Sequence, residues 1–187
     1  MYNDIILWAQ GLMKKEEVEG KSILEVGSYD VNGSLRETVM KLNPTRYIGT
    51  DMRSGSGVDM VCKAEDLPNV FQLEEFDMVI CTEVLEHVED WRVVISCLKK
   101  MCKEGGYLYV TSVSKGFPKH DYPADNWRFE LEDMKEIFAD CELLSLERPT
   151  KENKNRGVFV KAKKPIGWKE RDLSDIQLWN IKTEQRG

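Results

Sequence analysis

Four short stretches of the chain collect small and ionisable residues that can act together. Glu25-Val26-Gly27-Ser28-Tyr29-Asp30-Val31-Asn32-Gly33 closes one apolar run, and Asp51 and Met52 close another in YIGTDM. Ala64 and Glu65 lie in CKAEDLP, while Cys81, Thr82, Glu83, Glu86 and His87 fall in CTEVLEHVEDW. Gly27 permits close approach of a ligand to the backbone, and Ser28 and Asn32 offer hydrogen bonds in a tight turn. Asp51 can accept from both hydroxyls of a ribose or cap the following turn, and Met52 can pack on an adenine face. The backbone around Ala64 and Glu65 can read an adenine edge, or Glu65 and Asp66 can simply open a helical turn. Glu83 and Glu86 are explained equally by dipole compensation at a helix N-terminus, and His87 by a structural role or by proton transfer.

A fifth stretch, SVSKGFPKHDYPADNWRF, is too long and varied for a mere turn. His120, Asp121, Tyr122, Asp125 and Trp127 are its candidate substrate contacts. His120 is the first choice for a general base and His87 the second. Alternatively Tyr122, Trp127 and Phe129 pin the loop to the core, with Asp125 and Arg128 as a structural pair. Asp121 and Asp125 alone are too few ligands for a metal, and none is expected.

These residues need elements to hold them. Asn3 can cap an amphipathic helix whose apolar face carries Ile5, Ile6, Leu7, Trp8, Leu12 and Met13, fading near Gly20. Strands are expected at Ser22–Val26, Arg46–Thr50, Val58–Val61 and Phe76–Cys81. Helices are expected over Ser34–Leu42, where Asn43-Pro44 stops the chain, and after TEVLEHVEDW, burying Val93, Val94, Ile95, Leu98 and Met101. Gly105-Gly106 should end that helix and start the strand YLYVTSV. A helix over Leu131–Ala139 and an antiparallel hairpin of Cys141–Glu147 with Gly157–Lys163 follow. Residues 1–165 thus form one domain, and 166–187 a polar tail or a docked helix. The alternation predicts an α/β, Rossmann-like three-layer sandwich: a mostly parallel seven-stranded sheet with an antiparallel C-terminal hairpin strand. Ligands of such sheets bind beyond the carboxyl ends of the strands, which is where the four stretches fall.

The chain has 187 residues, enough for one well-buried core, and a net charge of −6. That balance argues against a partner gripped by its phosphate backbone. The basic groups Lys151–Arg156 and Lys161–Lys164 read as a solvated hairpin tip and strand end. Five scattered cysteines, with no CxxC pair, read as reduced structural thiols. No apolar run approaches the length of a bilayer span, and the N-terminus lacks a basic leader region, so the expected location is cytoplasmic.

In their order, the four stretches resemble the motifs of class I S-adenosylmethionine-dependent methyltransferases, and are most similar to the type 11 branch. ILEVGSYDVNG is similar to the first motif, YIGTDM to the second, KAEDLP to the adenine loop and FDMVICTEVLEHVEDW to the fourth. The resemblance covers residues 22–165 and implies S-adenosylmethionine as cofactor. It implies Glu25, Gly27 and Ser28 around the methionine moiety and Asp51 on the ribose. Met52, Ala64 and Glu65 would flank adenine, with Cys81, Thr82 and Glu83 under the sulfonium end. Two departures stand out: Tyr29 replaces the usual second glycine, and Lys63 stands where an acid commonly faces the adenine amine. Related methyltransferases also carry a run similar to G-F-P…H…Y-P-x-D-x-W-R-F, which implies acceptor binding there. The residues agree with a cationic, phosphate-free cofactor, because the first loop has no lysine or arginine and its missing glycines disfavour a pyrophosphate. The implied reaction is in-line methyl transfer to a small-molecule or glycan-type acceptor. A non-catalytic cofactor-binding scaffold of the same fold and an NAD-dependent oxidoreductase are the alternatives.

Overall fold

The computed structural model describes residues 3–31, 33–120, 124–149 and 157–187. The chain runs α1 (Asn3–Leu12), α2 (Lys15–Val18), β1 (Ser22–Val26), α3 (Arg36–Met40), β2 (Arg46–Asp51) and β3 (Met60–Val61). A 3-10 turn at Ala64–Asp66 precedes α4 (Leu67–Val70), β4 (Phe76–Thr82), α5 (Trp91–Met101) and β5 (Cys102–Val113). Then come β6 (Trp127–Arg128), α6 (Leu131–Ile137), β7 (Glu142–Glu147), β8 (Gly157–Lys163), β9 (Trp179–Asn180) and β10 (Gln185–Arg186).

Seven strands form one sheet in the order β3-β2-β1-β4-β5-β8-β7. The first five are parallel, and β8 runs antiparallel between β5 and β7. Successive residues of the central strands feed opposite layers, as the two-residue repeat of a strand requires. Leu24, Val79 and Val110 pack with Trp91 and Leu98 of α5 on one face. Ile23, Met78, Ile80 and Tyr109 pack with Ile5 and Ala9 of α1 on the other. The strands are therefore apolar throughout because both faces are covered.

Several element details depart from the sequence expectations. The first helix stops at Leu12 and restarts as α2, and its buried stripe is Ile5 and Ala9. Leu7, half a turn from that stripe, is 57% exposed. In α5 the buried stripe is Trp91, Val94, Ile95, Leu98 and Met101, which leaves Val93 43% exposed. The second expected helix shrinks to α3, and the third strand to Met60–Val61, because Val58 N donates to Gly55 O in a turn. β5 already begins at Cys102, so Gly105-Gly106 lie inside it, beside a register shift between β4 and β5. A Cβ on Gly106 would stand 2.7 Å from Asp77 O, which is why the strands can close there only with glycine.

The basic strand end is not solvated. Lys161 is buried, and its Nζ donates to both Glu17 oxygens (2.7 and 2.9 Å) and to Leu12 O. Lys164 is buried as well, donating to Glu74 Oε1 and Cys102 O. β8 is an interior strand, so its polar side chains meet neighbours in place of water. Lys151–Arg156 lie outside the described residues.

Residues 166–187 dock on the domain without forming a helix. Leu173, Ile176 and Leu178 join the core, and Arg92 Nε donates to Leu173 O at 3.0 Å. β9 pairs antiparallel with both β6 and β10 in a second, three-stranded sheet. Among the described residues, no helix is long and apolar enough to cross a membrane.

Candidate cofactor and acceptor site

The carboxyl ends of β1 and β4 open a cleft of about 130 Å³ lined by Glu25, Gly27, Ser28, Tyr29, Val31, Gly33, Ser34, Thr82 and Glu83. Gly27 makes the turn at φ +79°, and a Cβ there would come within 2.1 Å of Val84 Cγ2. A side chain is therefore excluded twice, by the left-handed backbone and by the β4 turn packed against it. The loop is tied to β2, since Gly27 N and Ser28 N both donate to Thr50 O.

Glu25 lies at the inner wall, fully buried, accepting from Tyr47 Oη at 2.5 Å. Burial pushes its carboxyl up to about 7, against the lowering effects of the Tyr47 bond and the Arg36 charge. Glu83 closes the opposite wall at φ +56°, a backbone conformation uncommon for a side chain with a Cβ. Its Oε1 accepts from Thr111 Oγ1 at 2.9 Å, and burial followed by the neighbouring Glu86 raises its pKa. Such strain gathers where a site needs a side chain aimed.

The cleft fits a cationic group without phosphates. Ser28 Oγ and Thr82 Oγ1 are buried with no hydrogen-bond partner, so both hydroxyls are free to meet a polar ligand. Two carboxyls line the walls and no lysine or arginine does. The volume lies below the ~300 Å³ of pockets that enclose a drug-sized ligand, so it matches the amino-acid end of such a cofactor only. An adenosine would extend over the ends of β2 and β3.

Asp51, Met52, Ala64 and Glu65 stand at or just after the ends of β2 and β3. Asp51 stands at the rim, its Oδ2 accepting from Tyr29 N (3.4 Å) and its Oδ1 from Arg53 N (3.0 Å). It thus caps its turn and keeps lone pairs for a ribose. Met52 is 51% exposed, Ala64 is buried in the 3-10 turn, and Glu65 is partly exposed there. Cys81 lies behind the cleft, fully buried, with its thiol held far above the ordinary range by burial. It packs and does not act as a nucleophile. The Tyr29 ring packs against Gly55, where a Cβ would come within 2.1 Å of it, and the Arg53 guanidinium lies over the ring. Lys63 points to solvent.

Beyond Glu83 the chain forms no helix until α5, whose cap is Asp90, so helix-dipole compensation does not explain Glu83 and Glu86. Glu86 turns inward, fully buried, accepting from Ser112 Oγ through Oε2 at 2.8 Å. Its Oε1 has no hydrogen-bond partner and lies 3.7 Å from His87 Nε2. His87 and His120 meet edge to face with ring centroids 4.9 Å apart. The two histidines, 33 positions apart in the sequence, are therefore neighbours in space. Burial lowers the pKa of His120, which keeps its imidazole neutral near pH 7.

Asp125 and Trp127 are engaged with the protein. The Asp125 carboxylate takes both Nη atoms of Arg128 and the His120 backbone N–H. Burial would raise its pKa, but those hydrogen bonds prevail and hold it below the ordinary value. Trp127 Nε1 donates to Val88 O at 3.0 Å, and Phe129 is fully buried, as a loop pinned to the core requires. Asp121, Tyr122 and Asn32 lie outside the described residues. Residues that sequence reasoning missed are Tyr47, Val84 and Ser112. Each sits on a neighbouring strand or turn, and only strand register brings it to the site.

Comparison with known proteins agrees with this geometry. Residues 8–145 match the model of a methyltransferase domain family. A ubiquinone biosynthesis O-methyltransferase of Pseudomonas syringae pv. tomato is 30% identical over 116 residues, 54% of this chain and 48% of that protein. The chain spans about half the length of the curated relatives it matches. An S-adenosylmethionine dependent methyltransferase structure from Mesorhizobium loti superposes with a TM-score of 0.64 at 12% identity, covering 84% of this chain and 96% of that one. The 1,6-didemethyltoxoflavin-N1-methyltransferase of Burkholderia thailandensis, solved with S-adenosylhomocysteine, gives 0.64 at 12% identity over 86% and 78%. At those identities the structural likeness is one of fold. The family match, the strand order and the acid-lined cleft converge, and the chain belongs to the methyltransferase domain family, with the class I fold of S-adenosylmethionine-dependent methyltransferases.

Proposed function

We propose that the protein transfers a methyl group from S-adenosylmethionine to a hydroxyl of a small-molecule or glycan-type acceptor. The observation that carries this reading is the cleft itself, with one buried and one half-buried acid, two unpartnered hydroxyls and, among the described residues, no basic side chain. The relatives named as O-methyltransferases support oxygen as the methylated atom.

When bound, the cofactor supplies an electrophilic methyl on a sulfonium. Glu25 and Glu83 attract the cationic end, and Ser28 Oγ and Thr82 Oγ1 fix its polar groups. Asp51 takes the ribose hydroxyls, Met52 and Ala64 cover adenine, and Glu65 borders it. Orientation and exclusion of water are the chief contributions to rate, because the displacement needs no covalent enzyme intermediate. The acceptor hydroxyl's proton passes to the histidine pair, His120 first and His87 second. Asp121, Tyr122, Asp125 and Trp127 border the acceptor, with Asp125 and Trp127 acting through the loop they hold.

Two measurements test the reading. S-adenosylhomocysteine should raise the melting temperature and NADH should not; stabilisation by NADH alone defeats it. A radiolabelled-methyl screen over phenols, sugars, proteins and RNA should label a hydroxyl compound. Cofactor binding with no labelled product in any class would instead favour the scaffold.

A further inference from the structure

We infer that Glu86, His87 and His120 form a binding site for a first-row divalent metal ion of the zinc class, on the acceptor side of the cleft. One ligand atom from each of the three residues lies within 4.8 Å of the others. A tetrahedral ion with ligands at ~2.0–2.1 Å sets them ~3.4 Å apart, and Glu86 Oε1 already stands 3.7 Å from His87 Nε2. Modest side-chain rotation closes the rest.

The wiring around the three groups independently favours a cation. Glu86 is fully buried, yet Oε1 has no hydrogen-bond partner, while Oε2 is held by Ser112 Oγ at 2.8 Å. A buried carboxylate oxygen without a partner is costly unless something positive meets it. His87 Nδ1 contacts the carbonyl of Ala124 and must donate to it, which leaves a lone pair on Nε2, the nitrogen facing Glu86. Asp125 Oδ2 stands 3.3 Å from His120 Nδ1, and Arg128 fixes that carboxylate. The carbonyl behind His87 is the kind of outer-shell partner that orients a metal-bound histidine, whereas His120 Nδ1 has the Asp125 carboxylate close by but no hydrogen bond to it. Two imidazoles and one carboxylate suit zinc or its first-row neighbours better than magnesium, and three protein ligands leave a position open for an oxygen.

The sequence expectation of no metal considered Asp121 and Asp125. The candidate ligands instead come from the β4 turn and the loop after β5. The role of the ion, unlike its binding, rests on the proposed methyl transfer. An acceptor hydroxyl at the open position would lose its proton to solvent more readily, and the imidazoles would serve as ligands in place of a direct base.

The test uses the full chain, stripped with a chelator and titrated with zinc chloride by calorimetry and with cobalt chloride by visible absorption. One equivalent should bind, the cobalt spectrum should lack a thiolate charge-transfer band, and His120→Ala and Glu86→Gln should each weaken binding by at least ~100-fold. Glu86→Gln preserves shape and His120 is partly exposed, and S-adenosylhomocysteine binding by each stripped variant reports that it has folded. Substoichiometric binding, a thiolate band, or equal affinity in the variants overturns the site. If the stripped wild type still binds S-adenosylhomocysteine, that failure leaves the methyltransferase reading standing and returns the imidazoles to proton transfer.

Discussion

The ends of β1 and β4 both carry a buried glutamate, and the two are treated differently. Glu25 faces a cleft in which two hydroxyls, Ser28 Oγ and Thr82 Oγ1, are left without partners. Glu86 faces a neighbourhood already knit together by Ser112, two histidines, Asp125 and Arg128. The first half is an incomplete polar surface built from one loop and its adjoining strands. The second is a denser network assembled from the β4 turn, β5 and the segment ending at β6, although Glu86 Oε1, His120 Nδ1, Asn126 Oδ1 and Arg128 Nε still lack hydrogen-bond partners. The sparser half should tolerate polar change better than the half whose buried charges hold one another.

The sharpest break of this contrast is Arg128→Ala. It strands the fully buried Asp125 charge, and should cost ~3–5 kcal/mol in urea denaturation. A loss under 1 kcal/mol would show that the acceptor half is not self-supporting. Next in size is a pH effect centred on Glu25. Its folded pKa of about 7 exceeds the ordinary 4.5, so the fold favours the protonated form. The stability it contributes is complete below pH 4.5 and is lost as pH rises to 7, by roughly 3 kcal/mol. Glu25→Gln should flatten that part of the profile, and affinity for S-adenosylhomocysteine in the wild type should rise through pH 7 as the carboxylate ionises.

Gly27→Ala adds a Cβ at φ +79° and 2.1 Å from Val84 Cγ2, and should cost about 2–3 kcal/mol with loss of cofactor binding. Adding Val84→Ala should restore about half of the stability, because it removes the contact and leaves the backbone strain. No recovery in the pair would mean that Val84 is not the obstacle. The smallest effect belongs to Met52→Ala at the open rim. Its stability should change by less than ~0.5 kcal/mol, with S-adenosylhomocysteine affinity falling about fivefold.

The same contrast decides what could be read in the sequence. The cofactor half is local: Glu25, Gly27 and Ser28 are consecutive or nearly so, and the strand-end rule finds Asp51 and Glu83 without knowing the register. The parallel sheet and its antiparallel hairpin follow from the alternation of apolar runs. The acceptor half depends on contacts between residues 30 to 40 positions apart, such as His87 with His120 and Asn126 with the carbonyls of residues 87 and 88. No periodicity encodes these, so His87 reads as a lone histidine, although the Asp125–Arg128 pair, three positions apart, is local enough to be read. Lys161 and Lys164 mislead for a related reason, since their partners Glu17 and Glu74 are contributed by α2 and the turn before β4.

The pairing of β6 with β9 also bears on which motions are cheap. Asn126 O accepts from Ile181 N at 2.8 Å, Trp127 and Arg128 share a ladder with β9, and Leu178 and Gly187 exchange backbone bonds behind it. The segment 126–128 is thereby cross-braced by residues about fifty positions downstream, so it cannot fray alone. In hydrogen exchange its amides should open together with those of residues 178–181, as one cooperative unit.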